Sequence, residues 1–173
     1  MITRCYLEIT NHCNLDCLFC PKTERAKHRL SLDEFELLTD KLIGKVEFLY
    51  FHLMGEPFLH PLLPQFIQIA RKKNFVPVLT TNGTLLSKAQ GVIEARPHKI
   101  QISLHSHEGN AKEHPEEYIH QVMTFAQEAA SQGILIVLRL WNEGGYDTTN
   151  DYIQDLIAQY QPRPWTQRHD GWK

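Results

Sequence analysis

Along the chain, two kinds of segment alternate when only apolar and polar positions are considered. "CYLEIT", "VEFLYFHL", "FVPVLTT", "IQISLHS" and "ILIVLRLW" are short, rich in β-branched or aromatic residues, and mostly apolar. Strands buried on both faces of a parallel sheet have this character. Between them lie "SLDEFELLTDKLIG", "HPLLPQFIQIARKKN", "SKAQGVIEAR" and "EEYIHQVMTFAQEAASQG", whose apolar residues recur near helical spacing. "DYIQDLIAQY" adds a last helix, with Tyr152, Ile153, Leu156, Ile157 and Tyr160 on one stripe. Ser31 and Glu34 have capping-box spacing, and Gly44 and Gly133 suit helix stops. The pattern predicts an α/β fold of five βα units over residues 1–160, followed by a polar, irregular tail over 161–173.

Composition adds bounds. A chain of 173 residues makes about one domain with a real core. A net charge of -2 with mixed signs carries no nucleic-acid or membrane bias. No apolar run approaches the ~18 residues of a membrane span, and "MITRCYLEIT" has no apolar signal core. A cytoplasmic setting is expected, where clustered thiols more often serve metals or catalysis than disulfides.

In parallel βα folds, ligands bind at the carboxyl ends of the strands. The stretch "TNHCNLDCLFCPK" follows the first strand there, "MGEP" the second, "TNG" the third, "SLHSH" the fourth and "RLWN" the fifth. Cys13, Cys17 and Cys20 read C-x3-C-x2-C. Three thiolates so close on one loop can each bind one iron of a cubane. Structural zinc wants four ligands, usually as two separated pairs. Cys5, within the first strand, or His12 would have to supply the fourth. Three thiolates leave one iron of a [4Fe–4S] cluster open, which suits substrate binding better than electron transfer alone.

"CNLDCLFC" resembles the C-x3-C-x-aromatic-C signature of the radical S-adenosylmethionine (radical SAM) superfamily, with Phe19 at the aromatic position, and the likeness runs to about Asn142. The resemblance implies a partial (β/α)6 TIM-like barrel, here with five βα units. It implies a [4Fe–4S] cluster on the three cysteines, whose open iron chelates the amino and carboxylate groups of S-adenosylmethionine. Reductive cleavage then gives a 5′-deoxyadenosyl radical that abstracts a substrate hydrogen. An electron donor such as a flavodoxin or ferredoxin goes with that chemistry.

Further residues of the rim fit the resemblance. Gly55 and Glu56 stand where the family has G-G-E, with Met54 in place of the first glycine. A glycine admits close backbone approach, and a carboxylate can accept from the cofactor's ammonium. Thr81 and Asn82 resemble polar residues of the family's pocket, although Asn82–Gly83 also reads as a plain turn. Ser103 stands where a ribose contact is common. Arg139 interrupts an apolar strand and needs an anion: the cofactor carboxylate, a substrate, or Glu8 in the first strand. Asn142 is a candidate of the same kind. Phe19 could stack on adenine or pack in the core. His52 reads as a hydrogen-bonded core or rim histidine, His105 and His107 as a polar loop rather than a metal pair or donors to substrate, and "PKTERAKHR" as a solvated loop rather than a screen for an acidic substrate.

No cysteine follows Cys20, so the chain lacks the cysteine-rich auxiliary-cluster extension of many peptide-modifying relatives. The sixth strand is also absent, which points to a compact member or, preferentially, a fragment or truncated gene. An incomplete barrel leaves two other readings standing: a cluster- or cofactor-binding module without turnover, and a zinc-binding structural domain. It also leaves "ILIVLRLW" as an edge strand, open to self-association.

Overall fold

Five strands form, four of them on the expected apolar runs and the first just ahead of its own, and they pair in chain order. The computed structural model describes residues 2–17, 19–104, 115–140 and 149–160. The strands are β1 (Ile2–Tyr6), β2 (Val46–Tyr50), β3 (Val76–Thr81), β4 (Lys99–Ser103) and β5 (Leu135–Arg139), all parallel in the order β1-β2-β3-β4-β5. Helices α1 (Leu32–Leu42), α2 (Leu63–Lys72), α3 (Gln90–Ala95), α4 (Pro115–Ser131) and α5 (Thr149–Ala158) alternate with them or follow the last. Parallel neighbours need crossovers, and crossovers are right-handed, so a strictly sequential order puts the helices on one face and curls the sheet. The result is the expected partial barrel.

Local chemistry sets the element ends. Glu34 donates its backbone N–H to the Ser31 hydroxyl and accepts from the Ser31 N–H, which completes the capping box of α1. Gly44 and Gly133 adopt φ of +73° and +80°, the left-handed region in which a glycine costs least. Leu49, Leu79, Ile100 and Ile102 point to the helical layer and are fully buried with Phe35, Phe66, Ile67 and Met123. Phe35 stacks on Phe66 and meets Phe51 edge-on, so α1, α2 and the end of β2 share one aromatic contact.

Strand register defines the other, inner face. Arg4 pairs with Phe48 and Tyr6 with Tyr50; Phe48 and Tyr50 pair with Val76 and Val78. Val78 and Thr80 pair with Lys99 and Gln101, which pair with Leu135 and Val137, and Ser103 pairs with Arg139. This face is far more polar than the helical one.

Two expectations need correcting. The first strand was expected from Cys5 to Thr10 but runs Ile2–Tyr6. It is an edge strand, half exposed, so it lacks the continuous apolar run of a buried one. Beyond it, Leu7 packs against the core and Ile9 is a fully buried core residue. Glu8 therefore lies beyond β1, not within it. The fifth strand is likewise not buried on both faces: Leu135 is 52% exposed.

Among the described residues β5 pairs on one side only, with β4. An open strand edge templates pairing with another chain. We expect self-association, or a partner strand, at Leu135–Arg139. Sedimentation velocity should then show a species heavier than 20.2 kDa, and added detergent should dissociate it. A monomer whose β5 amides resist hydrogen exchange would mean that the edge is closed from within the chain. Among the described residues no helix is long and apolar enough to cross a membrane.

Candidate active site at the carboxyl rim

The chain leaves β1 and forms a loop closed at its neck. Thr10 and Arg29 make an isolated antiparallel bridge. Asn11, 4% exposed, accepts from the His28 N–H at 2.7 Å on Oδ1 and donates from Nδ2 to the Ala26 carbonyl at 2.8 Å. Lys27 Nζ donates to the Asn11 carbonyl, and Arg25 Nη2 pairs with Glu8 Oε1 at 2.7 Å. All three clustered cysteines lie inside this loop. The basic run expected to be merely solvated instead closes it.

The loop is docked on the ends of β2 and β3. The Met54 N–H donates to Glu8 Oε2, and the Glu56 N–H donates to the His12 carbonyl at 2.8 Å. Gly55 sits against the neck itself: a Cβ there would lie 2.1 Å from the Thr10 carbonyl oxygen. Its freedom from a side chain serves the approach of Thr10 and Asn11, a reason the sequence did not reveal. Gly55→Ala should therefore displace the loop and cost about 3 kcal/mol. A urea melt with an unchanged midpoint would contradict that packing role.

Glu56 is 2% exposed and joins three rim segments. Oε1 accepts from the Phe58 N–H at 2.9 Å and Oε2 from the Asn82 N–H at 2.7 Å, and the Thr81 hydroxyl also bonds to the carboxylate. Burial pushes its carboxyl up to about 7, against the pull of these three donors. Asn82 in turn donates from Nδ2 to Asn14 Oδ1 at 3.0 Å, while Asn14 Nδ2 donates to Thr84 Oγ1 at 2.8 Å. The Tyr118 hydroxyl donates to the Asn82 carbonyl. Asn82 and Gly83 do form the turn read as an alternative, yet the Asn82 amide also ties the cysteine loop to β3. Asn11, Asn14 and Thr84 were not singled out from sequence.

All four cysteines are free thiols. Cys13 is exposed, Cys17 buried and Cys20 half-buried, and the Cys20 N–H donates to the Cys17 carbonyl at 3.1 Å. Burial pushes the Cys13 thiol up, the Leu15 N–H opposes this, and Glu56, Cys17 and Cys20 push it further up. The three thiols thus sense one another. Among the described residues no group of three or more Cys, His, Asp or Glu could hold a single metal ion. Cys5 stands apart in β1, opposite Leu49 and packed against the core.

The remaining candidates divide. Phe19 is 53% exposed, so the core reading is excluded. Ser103 and Arg139 lie side by side on the inner face at the ends of β4 and β5. Burial pulls the Arg139 guanidinium below its usual range. Glu8, its alternative counter-ion, is already engaged by Arg25 and Met54. Asn142, His105 and His107 lie outside the described residues. His52 is not the hydrogen-bonded histidine expected: its Nδ1 is buried without a partner.

Comparison with known proteins fits this geometry. The chain is 35% identical over 86 residues to the tungsten-containing aldehyde ferredoxin oxidoreductase cofactor-modifying protein of Pyrococcus furiosus, an alignment covering 47% of this chain and 24% of that one. It is 32% identical over 109 residues to GTP 3′,8-cyclase of Chlorobaculum tepidum, covering 57% and 31%. The chain thus spans about a quarter to a third of the length of these curated relatives. Among solved structures, methylornithine synthase superposes with a TM-score of 0.63 at 13% identity, covering 93% of this chain and 51% of that one. BtrN in complex with AdoMet and 2-DOIA gives 0.61 at 19%, covering 80% and 57%. Both likenesses are to the fold. The family model for the radical SAM superfamily matches residues 7–141, from the residue after β1 to just past β5, and the chain belongs to that superfamily.

Proposed function

We propose that this chain is the barrel unit of a radical SAM enzyme, with a [4Fe–4S] cluster on Cys13, Cys17 and Cys20 and S-adenosylmethionine across the carboxyl rim. The carrying observation is the set of three free thiols on one closed loop, docked on the ends of β2 and β3. When bound, the cluster supplies one electron that breaks the C5′–S bond of the sulfonium, giving methionine and a 5′-deoxyadenosyl radical for hydrogen abstraction. A flavodoxin or ferredoxin would deliver that electron.

Each residue then has a task. The neck at Asn11 and the Asn14–Asn82 amide pair fix where the thiolates stand. Glu56 already accepts three hydrogen bonds, and a carboxylate has about four acceptor positions. One remains for the cofactor's ammonium, whose charge would draw the carboxyl back to its ionised form. Phe19, 53% exposed, would stack on adenine, while Ser103 and Arg139 would meet ribose and carboxylate with a hydroxyl and a guanidinium. Gly55, Thr81 and Asn82 support the site from behind, and Asn142 follows β5 beside it in sequence.

Anaerobic incubation of reconstituted protein with S-adenosylmethionine and dithionite tests the reading. Methionine and 5′-deoxyadenosine should form in equal amounts. Cofactor binding without cleavage would instead leave a binding module.

A further inference from the structure

Tyr118 lies in the first turn of α4 and is 1% exposed. Its hydroxyl reaches 36 residues back along the chain to the Asn82 carbonyl, at 2.8 Å. The ring backs the Asn82–Gly83 turn closely. A Cβ on Gly83, whose φ is +77°, would lie 2.7 Å from that hydroxyl and 3.0 Å from Ile102 Cγ2. The glycine that makes the turn therefore also makes room for the tyrosine.

Asn82 has every one of its polar groups engaged. Its N–H donates to Glu56 Oε2 and its carbonyl accepts from Tyr118. Oδ1 accepts from the Thr84 N–H at 3.0 Å and the Thr84 hydroxyl at 2.8 Å, and Nδ2 donates to Asn14 Oδ1 at 3.0 Å. Asn14 Nδ2 donates in turn to Thr84 Oγ1, so the three side chains close a ring. Asn14 is exposed and stands between Cys13 and Cys17. Water competes for the bonds of an exposed amide, and they persist only if their partners are already fixed in place. Thr84 belongs to the same turn as Asn82, and Glu56 faces the proposed cofactor. Tyr118 ties that turn to a packed helix.

We propose that Tyr118 is a positioning residue of the cysteine loop: its buried hydroxyl fixes the Asn82 turn, and Asn82, through Asn14, fixes the stretch carrying Cys13 and Cys17. This rests on the reading of that loop as the cluster site. The thiols are thereby ordered before iron arrives, and α4 gains a part in the site although Tyr118 touches neither cluster nor cofactor.

Tyr118→Phe keeps the ring and removes the hydroxyl. In cluster-free protein, timed alkylation with iodoacetamide reads each cysteine separately by peptide mass spectrometry. Cys17, 9% exposed, should react roughly two- to tenfold faster in Tyr118→Phe, the worth of one hydrogen bond, while Cys5 in β1 keeps its rate. Thr39→Val removes another buried hydroxyl, bonded to the Phe35 carbonyl within α1, and should leave the ratio of Cys17 to Cys5 labelling unchanged. In an Asn14→Ala background the Tyr118→Phe effect should vanish, because its route is already cut. In reconstituted protein, Tyr118→Phe should shift the paramagnetic resonance signal of the reduced cluster. An unchanged labelling ratio and an unchanged signal, in protein that still holds cluster and S-adenosylmethionine, would overturn the positioning role and leave the family reading intact. So would an effect of equal size with and without Asn14. Wild-type protein that takes up no iron on anaerobic reconstitution would remove the proposed function and the positioning role together.

Discussion

Cys13→Ala, Cys17→Ala and Cys20→Ala should each give colourless protein after anaerobic reconstitution, while Cys5→Ala stays brown. A three-thiolate site has no spare ligand, so each loss should abolish the cluster rather than weaken it. Cys5 is excluded by position: it lies in β1 opposite Leu49, eight residues before Cys13 and below the rim. Truncating it removes one half-buried sulfur and should cost about 1 kcal/mol or less. The chromophore and iron content of the four variants, measured beside their urea melts, separate ligand loss from unfolding. A colourless, folded Cys5→Ala protein would end the assignment of three ligands and an open iron. Iron lost during aerobic purification would not, since an exchangeable iron is exposed to oxidation.

Glu56→Ala should weaken both the fold and the cofactor site. It strips partners from the buried N–H groups of Phe58 and Asn82, at about 1–3 kcal/mol each. Loss of a charge-assisted bond to the ammonium should weaken S-adenosylmethionine binding by roughly 1.5–3 kcal/mol. Glu56→Gln isolates the charge. The carboxyl is raised from 4.5 to about 7 in the folded chain, so the folded state holds that proton more tightly than the unfolded one. Its contribution is full below pH 4.5 and is lost as pH rises through about 7. His52, lowered from 6.5 to about 4 by burial and then by Arg139, runs the other way. Its contribution is present above pH 6.5 and lost as pH falls through about 4. The two slopes oppose each other between pH 4.5 and 6.5, which flattens the wild-type profile. In cofactor-free protein, Glu56→Gln should unmask the His52 slope, so that stability falls with acidification. A Glu56→Gln profile parallel to wild type would show that Glu56 does not titrate in that window.

These two residues also mark how far the sequence could be read. The strands of the middle of the sheet were legible because burial on both faces leaves a nearly unbroken apolar run, as in "VPVLTT". Edge strand β1 was not, because "ITRCY" mixes exposed and half-buried positions while the apolar "LEI" beyond it supplies Ile9 to the core. The cysteine loop was legible from local spacing alone. What holds it was not: Asn14 and Asn82 are 68 residues apart, and an amide pair leaves no periodic trace. Gly55 was noticed for the right permissiveness and the wrong neighbour, since only coordinates place the Thr10 carbonyl beside it. His52 read as an ordinary satisfied histidine because nothing local reveals an unmet ring nitrogen.

The most direct test of the central claim is an iron and sulfide count on the anaerobically reconstituted chain, paired with electron paramagnetic resonance of the reduced protein. About four iron and four sulfide per chain are expected, the stoichiometry of one [4Fe–4S] cluster, with a reduced signal that shifts when S-adenosylmethionine is added. Colourless protein with one zinc and no sulfide would contradict it, as would a cluster whose signal ignores the cofactor.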